Sequence, residues 1–109
     1  MRTELPVVPE LRLALPAPDT RDAVRVGALV GDPVRAGILA ILRDGPHCVC
    51  EMAAALGERQ NNVSNHLARL REAGLVQASR HGADARWVYY ERDEAAIAAA
   101  GAALRSLLR

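Results

Sequence analysis

Cys48 and Cys50 stand one residue apart, and the chain of 109 residues has no other cysteine. A pair this close is badly placed for an ordinary structural disulfide, so the spacing points to metal or redox chemistry. Thiolates are soft ligands that select thiophilic ions. His47 beside them is a candidate third ligand, with Glu51 or a water able to complete a tetrahedral, zinc-like set. On a regular helix, residues i and i+2 point about 200° apart, which keeps two thiolates off one ion. At a helix start, with Cys48 still extended, both sulfurs can face one side. The competing explanation is two small residues buried at a helix start, a common fate for free cysteine.

A second cluster is polar. Gln60, Asn61, Asn62, Ser64, Asn65, Arg69 and Arg71 crowd one short segment. Asn and Gln present paired donors and acceptors that match adenine edges, and Arg matches guanine and phosphate. Asn and Ser are poor helix formers, so several at a helix start need a reason. One such residue is readily a cap or a solvated face; the whole cluster after an alanine-rich helix reads as a surface for duplex DNA. Arg80, His81 and Arg86 flank a short loop nearby, where they suit phosphate contacts or simply keep a hairpin tip soluble.

Several elements must position these groups. A helix is expected from Asp19 or Thr20 to Val30. Another follows Asp32 as cap and Pro33 in the first turn, with Val34, Ile38, Ile41 and Leu42 on one stripe, ending at Gly45-Pro46. Cys48 to Leu56 forms a short helix closed by Gly57. Asn61 or Asn62 then caps a helix whose Val63, Leu67 and Leu70 repeat at i, i+4, i+7, and Gly74 ends it. Two short helices joined by a tight turn are a helix-turn-helix signature. The segments 75–80 and 86–91 read as strands of a hairpin. Asp93 caps a last helix carrying Ile97, Leu104, Leu107 and Leu108. The fold class is mainly α with a β-hairpin wing (α+β), in the order α-α-α-α-β-β-α. Residues 1–18, which hold four of the six prolines, form an extended arm, and 19–109 form the domain.

Composition narrows the function. Half the residues are apolar, but the aromatics are only Trp87, Tyr89 and Tyr90, so the core is aliphatic. The net charge of +1 hides an asymmetry: residues 1–58 carry six Arg against eight Asp/Glu, and 59–109 carry eight Arg against five. Local charge governs phosphate contact. No apolar run approaches the roughly 18 residues of a membrane span, and no continuous apolar segment marks a signal peptide. A cytoplasmic protein with no membrane partner is expected. An enzyme is not: there is no glycine-rich phosphate loop, no metal-hydrolase spacing and no Ser/His/Asp arrangement. No organic cofactor is expected either.

The stretch from Ala28 to Leu42, ALVGDPVRAGILAIL, resembles the "ALADPTRLRILxLL" block of the ArsR/SmtB family of metal(loid)-responsive repressors. Asn62 to Val76, NVSNHLARLREAGLV, is similar to that family's "TVSxHLxxLxxAGLV" block. With Cys-Val-Cys, the resemblance covers roughly residues 22–92. It implies a winged helix-turn-helix homodimer joined through its first and last helices. Such a dimer places its recognition helices about 34 Å apart on a palindromic operator. Gln60, Asn61, Ser64 and Asn65 would face bases, while His66 would support packing. Cys-x-Cys resembles the sensing motif of the arsenic-, cadmium- and lead-responsive branch.

The chain departs from the family pattern twice. A trigonal arsenite site wants three sulfurs, and only two are present. The Asp-x-His and downstream His pair of zinc and nickel sensors are missing too, since Ala95 follows Asp93 by two and no His comes after His81. The resulting expectation is a DNA-binding repressor released by arsenite, Cd, Pb or Zn at Cys48-x-Cys50. The alternatives are a thiol redox sensor or ligand-independent regulator on the same dimer and, more remotely, a winged-helix protein-interaction module.

Overall fold

A computed structural model describes residues 18–79 and 86–109; the arm expected over 1–18 lies outside it save for Pro18, and Arg80 and His81 lie outside it entirely. The order is α1 (Pro18–Val30), α2 (Pro33–Leu42), β1 (His47–Cys48), α3 (Val49–Leu56), α4 (Gln60–Glu72), β2 (Val76–Ala78), β3 (Tyr89–Arg92) and α5 (Glu94–Leu108). The five helices and the hairpin stand where the periodicity put them. β1 was not expected. It pairs antiparallel with β3, which also pairs with β2, giving a three-stranded sheet in the order β1-β3-β2.

Local chemistry explains most boundaries. Asp32 caps α2 by accepting from the amides of Val34 (2.9 Å) and Arg35 (3.0 Å), with Pro33 in the first turn where no amide is needed. Gly57 closes α3 at φ 66°, a left-handed conformation that side chains resist. Asp93 caps α5 through the amide of Ala96, 3.1 Å away.

Two boundaries differ from expectation. α4 starts at Gln60 behind Arg59, so Asn61 and Asn62 sit inside its first turn rather than capping it. The Asn62 amide instead donates to Glu58 Oε1 at 2.6 Å, and the Val63 amide already reaches Arg59 O, so the helical ladder begins one residue earlier than the Asn pair suggested. The strands are also shorter than 75–80 and 86–91. Tyr89 pairs with Cys48 of β1 and Tyr90 with both His47 of β1 and Ala78 of β2, whereas Arg86, Trp87 and Val88 lie before the strand and are exposed.

The core gathers Ile38 and Leu42 of α2, Met52 and Ala53 of α3, Val63, Leu67 and Leu70 of α4, and Leu75 and Val76. α4 is thus held by three buried aliphatic residues on one face, which presents its other face to solvent. α1 and α5 pack on each other outside this core. α5 contributes no buried residue, and Val24 (56%), Leu107 (45%) and Leu108 (78%) remain exposed, an apolar surface awaiting cover. Among the described residues, no helix is long and apolar enough to cross a membrane.

Candidate nucleic-acid interface and thiol site

The outward face of α4 carries the polar cluster. Gln60, Asn61, Ser64, Asn65 and Arg69 are all exposed, and they fall at i, i+4 intervals (Gln60 with Ser64; Asn61 with Asn65, then Arg69). Asn62 stands apart: it is half-buried and committed to Glu58. Arg71 also departs from the DNA-facing set, its guanidinium lying 5.4 Å from the centroid of the Tyr90 ring, a cation–π contact joining α4 to β3. Arg59, the residue before α4, offers no side-chain cap, so amides of the first turn are left for an external acceptor such as a phosphate oxygen. Arg86 is exposed before β3, and Arg80 lies outside the described residues.

A brace not legible in the sequence fixes the attitude of α4. Arg35 of α2 donates through Nη1 to His66 Nδ1 (3.0 Å), through Nη2 to Ala28 O (3.3 Å), and through Nε to Leu29 O. Arginine has no acceptor, so His66 Nδ1 accepts and the ring proton sits on Nε2. Asp32 Oδ2 lies 3.6 Å from the same nitrogen. One guanidinium thus ties the C-terminal carbonyls of α1 to the middle of α4. The packing role expected for His66 is met, in polar form.

The thiols sit where β1 becomes α3. Cys48 is extended (φ −91°, ψ 167°) and buried; Cys50, in the first turn, is half-buried. Their sulfurs are 2.7 Å apart, on one side, as expected for an extended Cys48. Glu51 completes a reciprocal cap: its Oε1 accepts from the Cys48 amide at 2.9 Å, while its own amide faces the Cys48 sulfur. Burial, then the contact with Cys50, pushes the Cys48 thiol above its ordinary range. His47 donates from Nδ1 to Gly45 O at 2.8 Å, leaving Nε2 as its ligating nitrogen. Alternation along β1 directs neighbouring side chains to opposite faces. Among the described residues no three His, Cys, Asp or Glu side chains converge to hold a metal ion.

The two capping carboxylates also set the acid response. The Cys48 amide holds Glu51, and the Arg35 amide holds Asp32, below the usual carboxylate values. Depressed folded pKa values mean a stabilisation that is present above the unfolded values (near 4.5 and 3.8) and is lost as pH falls through the lower folded ones. Thermal melts across that acid range are expected to show a falling Tm. Glu51→Gln, which keeps the capping acceptor, should flatten part of that fall; an unchanged pH profile would remove Glu51 from this account.

Comparison with known proteins agrees with this geometry. Residues 32–78 match the family described as bacterial regulatory protein, arsR family. The chain is 37% identical over 68 residues to the arsenical resistance operon repressor of Escherichia coli (strain K12), covering 62% of this chain and 56% of that one. It spans about half the length of the curated relatives it matches, 46% and 56% of two of them. A crystal structure of a possible transcriptional regulator for arsenical resistance superposes with a TM-score of 0.60 at 32% identity, over 80% of each chain. So does the homodimeric winged helix-turn-helix DNA-binding domain Mb0332 of Mycobacterium bovis, in solution, with a TM-score of 0.60 at 25% identity over 93% of this chain and 84% of that one.

Proposed function

From the premise that this chain belongs to the arsR family of bacterial regulators, which are not enzymes, we propose that it is a cytoplasmic transcriptional repressor. It binds a palindromic operator as a homodimer and leaves it when a thiophilic metal or metalloid occupies Cys48 and Cys50. The carrying observation is the solvent face of α4: Gln60, Asn61, Ser64, Asn65 and Arg69 are exposed on a helix anchored by Val63, Leu67 and Leu70. Asn62 takes the lesser role of fixing the start of that helix, and Arg80 and Arg86 bring phosphate contacts from the wing. The homodimeric relative supports pairing, which would bring two such faces to adjacent major grooves.

Release is explained by where the sulfurs lie. Cys48 is at once the cap of α3 and a β1 residue paired with Tyr89. Its neighbour His47 pairs with Tyr90, whose ring holds Arg71 of α4. An inducer supplies a soft electrophilic centre to both sulfurs, and drawing them to it disturbs the α3 cap and the β1–β3 pairing together. Both α4 and the wing then leave the DNA-binding arrangement, which is negative linkage between inducer and operator.

The test is fluorescence anisotropy of a labelled duplex from upstream of the gene, with arsenite, Cd(II), Pb(II) and Zn(II) added in turn. At least one of them should weaken binding 5- to 150-fold, the usual range of about 1–3 kcal/mol for coupling between sites. Cys48→Ser with Cys50→Ser should keep the operator affinity and lose the response. If the double variant still responds, the thiols are not the sensor.

A further inference from the structure

Resting on the reading of α4 as the operator-reading helix, we propose that His66 is a positioning residue for operator binding, and that a proton on its ring switches α4 out of the attitude that reads bases. The ring stands between two groups with opposite demands. Arg35 Nη1 donates to His66 Nδ1 at 3.0 Å, which requires a neutral ring with its lone pair on that nitrogen. Asp32 Oδ2 stands 3.6 Å from the same nitrogen and suits the protonated ring. His66 and Asp32 keep only 20% and 28% of their side-chain surface exposed, so water screens the contest poorly. Histidine is the side-chain type that changes charge between pH 5 and 8.

The neighbouring elements leave the choice to this trio. α2 brings one charged residue, Arg35; α3 brings one, Glu51, which is turned to the Cys48 amide; β2 brings none. On α4 itself Arg69 is exposed one turn beyond His66, and Glu58, before the helix, is engaged by Asn62. The hydrogen bonds also set where the brace parts. A protonated ring donates from both nitrogens and has no acceptor, so it meets Arg35 donor to donor and positive to positive. Arg35 keeps Ala28 O and Leu29 O, the α1 end of the brace, and loses the α4 end. Asp32 Oδ2 is fixed by the amides of Val34 and Arg35, so it is the ring, with α4, that moves to Asp32.

Val63, Leu67 and Leu70 keep α4 folded on the core, but they form a single stripe about which the helix can tilt. Asn65, next to His66 in sequence, tilts with it. Hydrogen bonds to base edges weaken steeply once distance and angle depart from the ideal, whereas attraction to phosphates tolerates the change. Discrimination is therefore lost before general affinity for DNA. The base-reading form holds the unprotonated ring and the tilted form takes the proton. Operator affinity is thus full above the imidazole range and falls as pH drops through it. Reciprocally, operator binding drives the proton off, one from each protomer of a dimer.

The experiment measures anisotropy of the upstream duplex and of a scrambled duplex with the full, reduced, metal-free chain, from about pH 7.5 to about pH 5.5, the span in which histidine titrates. Operator affinity of the wild type is expected to fall at least about 10-fold across that span, and scrambled-duplex affinity to show no such loss. His66→Asn keeps an acceptor near the Nδ1 position without a titrating ring, so it should bind operator at pH 7.5 and flatten the profile; what pH dependence remains belongs to His47 and His81. Asp32→Asn keeps a good cap but removes the charge that favours the protonated ring, so the fall should move to lower pH. Ring resonances of His66, identified by their loss in His66→Asn, should stay those of the neutral form to lower pH in the operator complex than in the free protein. A wild-type profile as flat as that of His66→Asn overturns the switch, as does a ring that titrates alike free and bound. Operator preference with a flat profile leaves the repressor reading intact; no operator preference at any pH removes both.

Discussion

Gln60→Ala combined with Asn65→Ala is expected to lower operator affinity by about three orders of magnitude or more while leaving binding to random duplex almost unchanged. Each paired amide–base interaction contributes roughly 1–3 kcal/mol of discrimination, and a two-fold dimer makes each of them twice. Both side chains are exposed on a helix whose buried face is aliphatic, so the fold has no stake in them. Alanine is also the better helix former, so Tm should hold or rise slightly. Neither residue is charged, so the slope of affinity against salt should also hold, whereas Arg69→Ala should reduce that slope by about one for each phosphate it no longer neutralises. Anisotropy titrations at several salt concentrations, with operator and scrambled duplexes, separate the two effects. A double variant that still prefers the operator over the scrambled duplex would remove α4 as the reading element.

The sequence was informative where one residue type has one local consequence. Asp32-Pro33, Gly57, Gly74 and Asp93 each act through a cap or a positive φ decided within a few residues, and all four stand where they were read. The same holds for Val63, Leu67 and Leu70, whose spacing alone set the orientation of α4. Two of the differences rest on contacts distant in sequence. β1 is two residues long and exists because Tyr89 and Tyr90 supply its partner from about forty residues away, which no local pattern reveals. Arg35 carries no local signal of its role, yet it holds α1 and α4 together. The α4 start was missed because two asparagines resembled caps while Glu58 bound one of them from outside the helix. At the thiol site the extended Cys48 was legible from the i, i+2 geometry. The absence of a third ligand among the described residues depends on where His47 and Glu51 send their polar atoms.

Val24→Glu with Leu107→Glu should convert the protein to a folded monomer and reduce operator affinity at least about 10³-fold. The argument begins with what the single chain leaves uncovered. α5 packs on α1 and the core only through half-buried residues such as Ala96, Ile97 and Ala100, none of them fully buried, and Val24 and Leu107 are 56% and 45% exposed. Leu107 borders a shallow cleft shared with Thr20, and Val24 lies one helical turn beyond Thr20, so the two positions belong to one surface of α1 and α5. A glutamate at either site stays hydrated in the monomer and costs its fold little. Across a two-fold interface each carboxylate appears twice, loses water and meets its own copy, and unpaired buried charge is among the most disruptive changes an interface can suffer. A monomer then holds only one α4, and binding the second half-site no longer draws on the effective concentration that a linked partner supplies. Affinity should approach that for non-specific duplex, which lies about 10³-fold or more below specific binding. Light scattering reports the mass, circular dichroism the retained helices, and anisotropy the DNA. If the variant remained dimeric with unchanged operator affinity, the pairing surface would have to lie away from α1 and α5, and two recognition helices set by that pair could not be what spaces the half-sites.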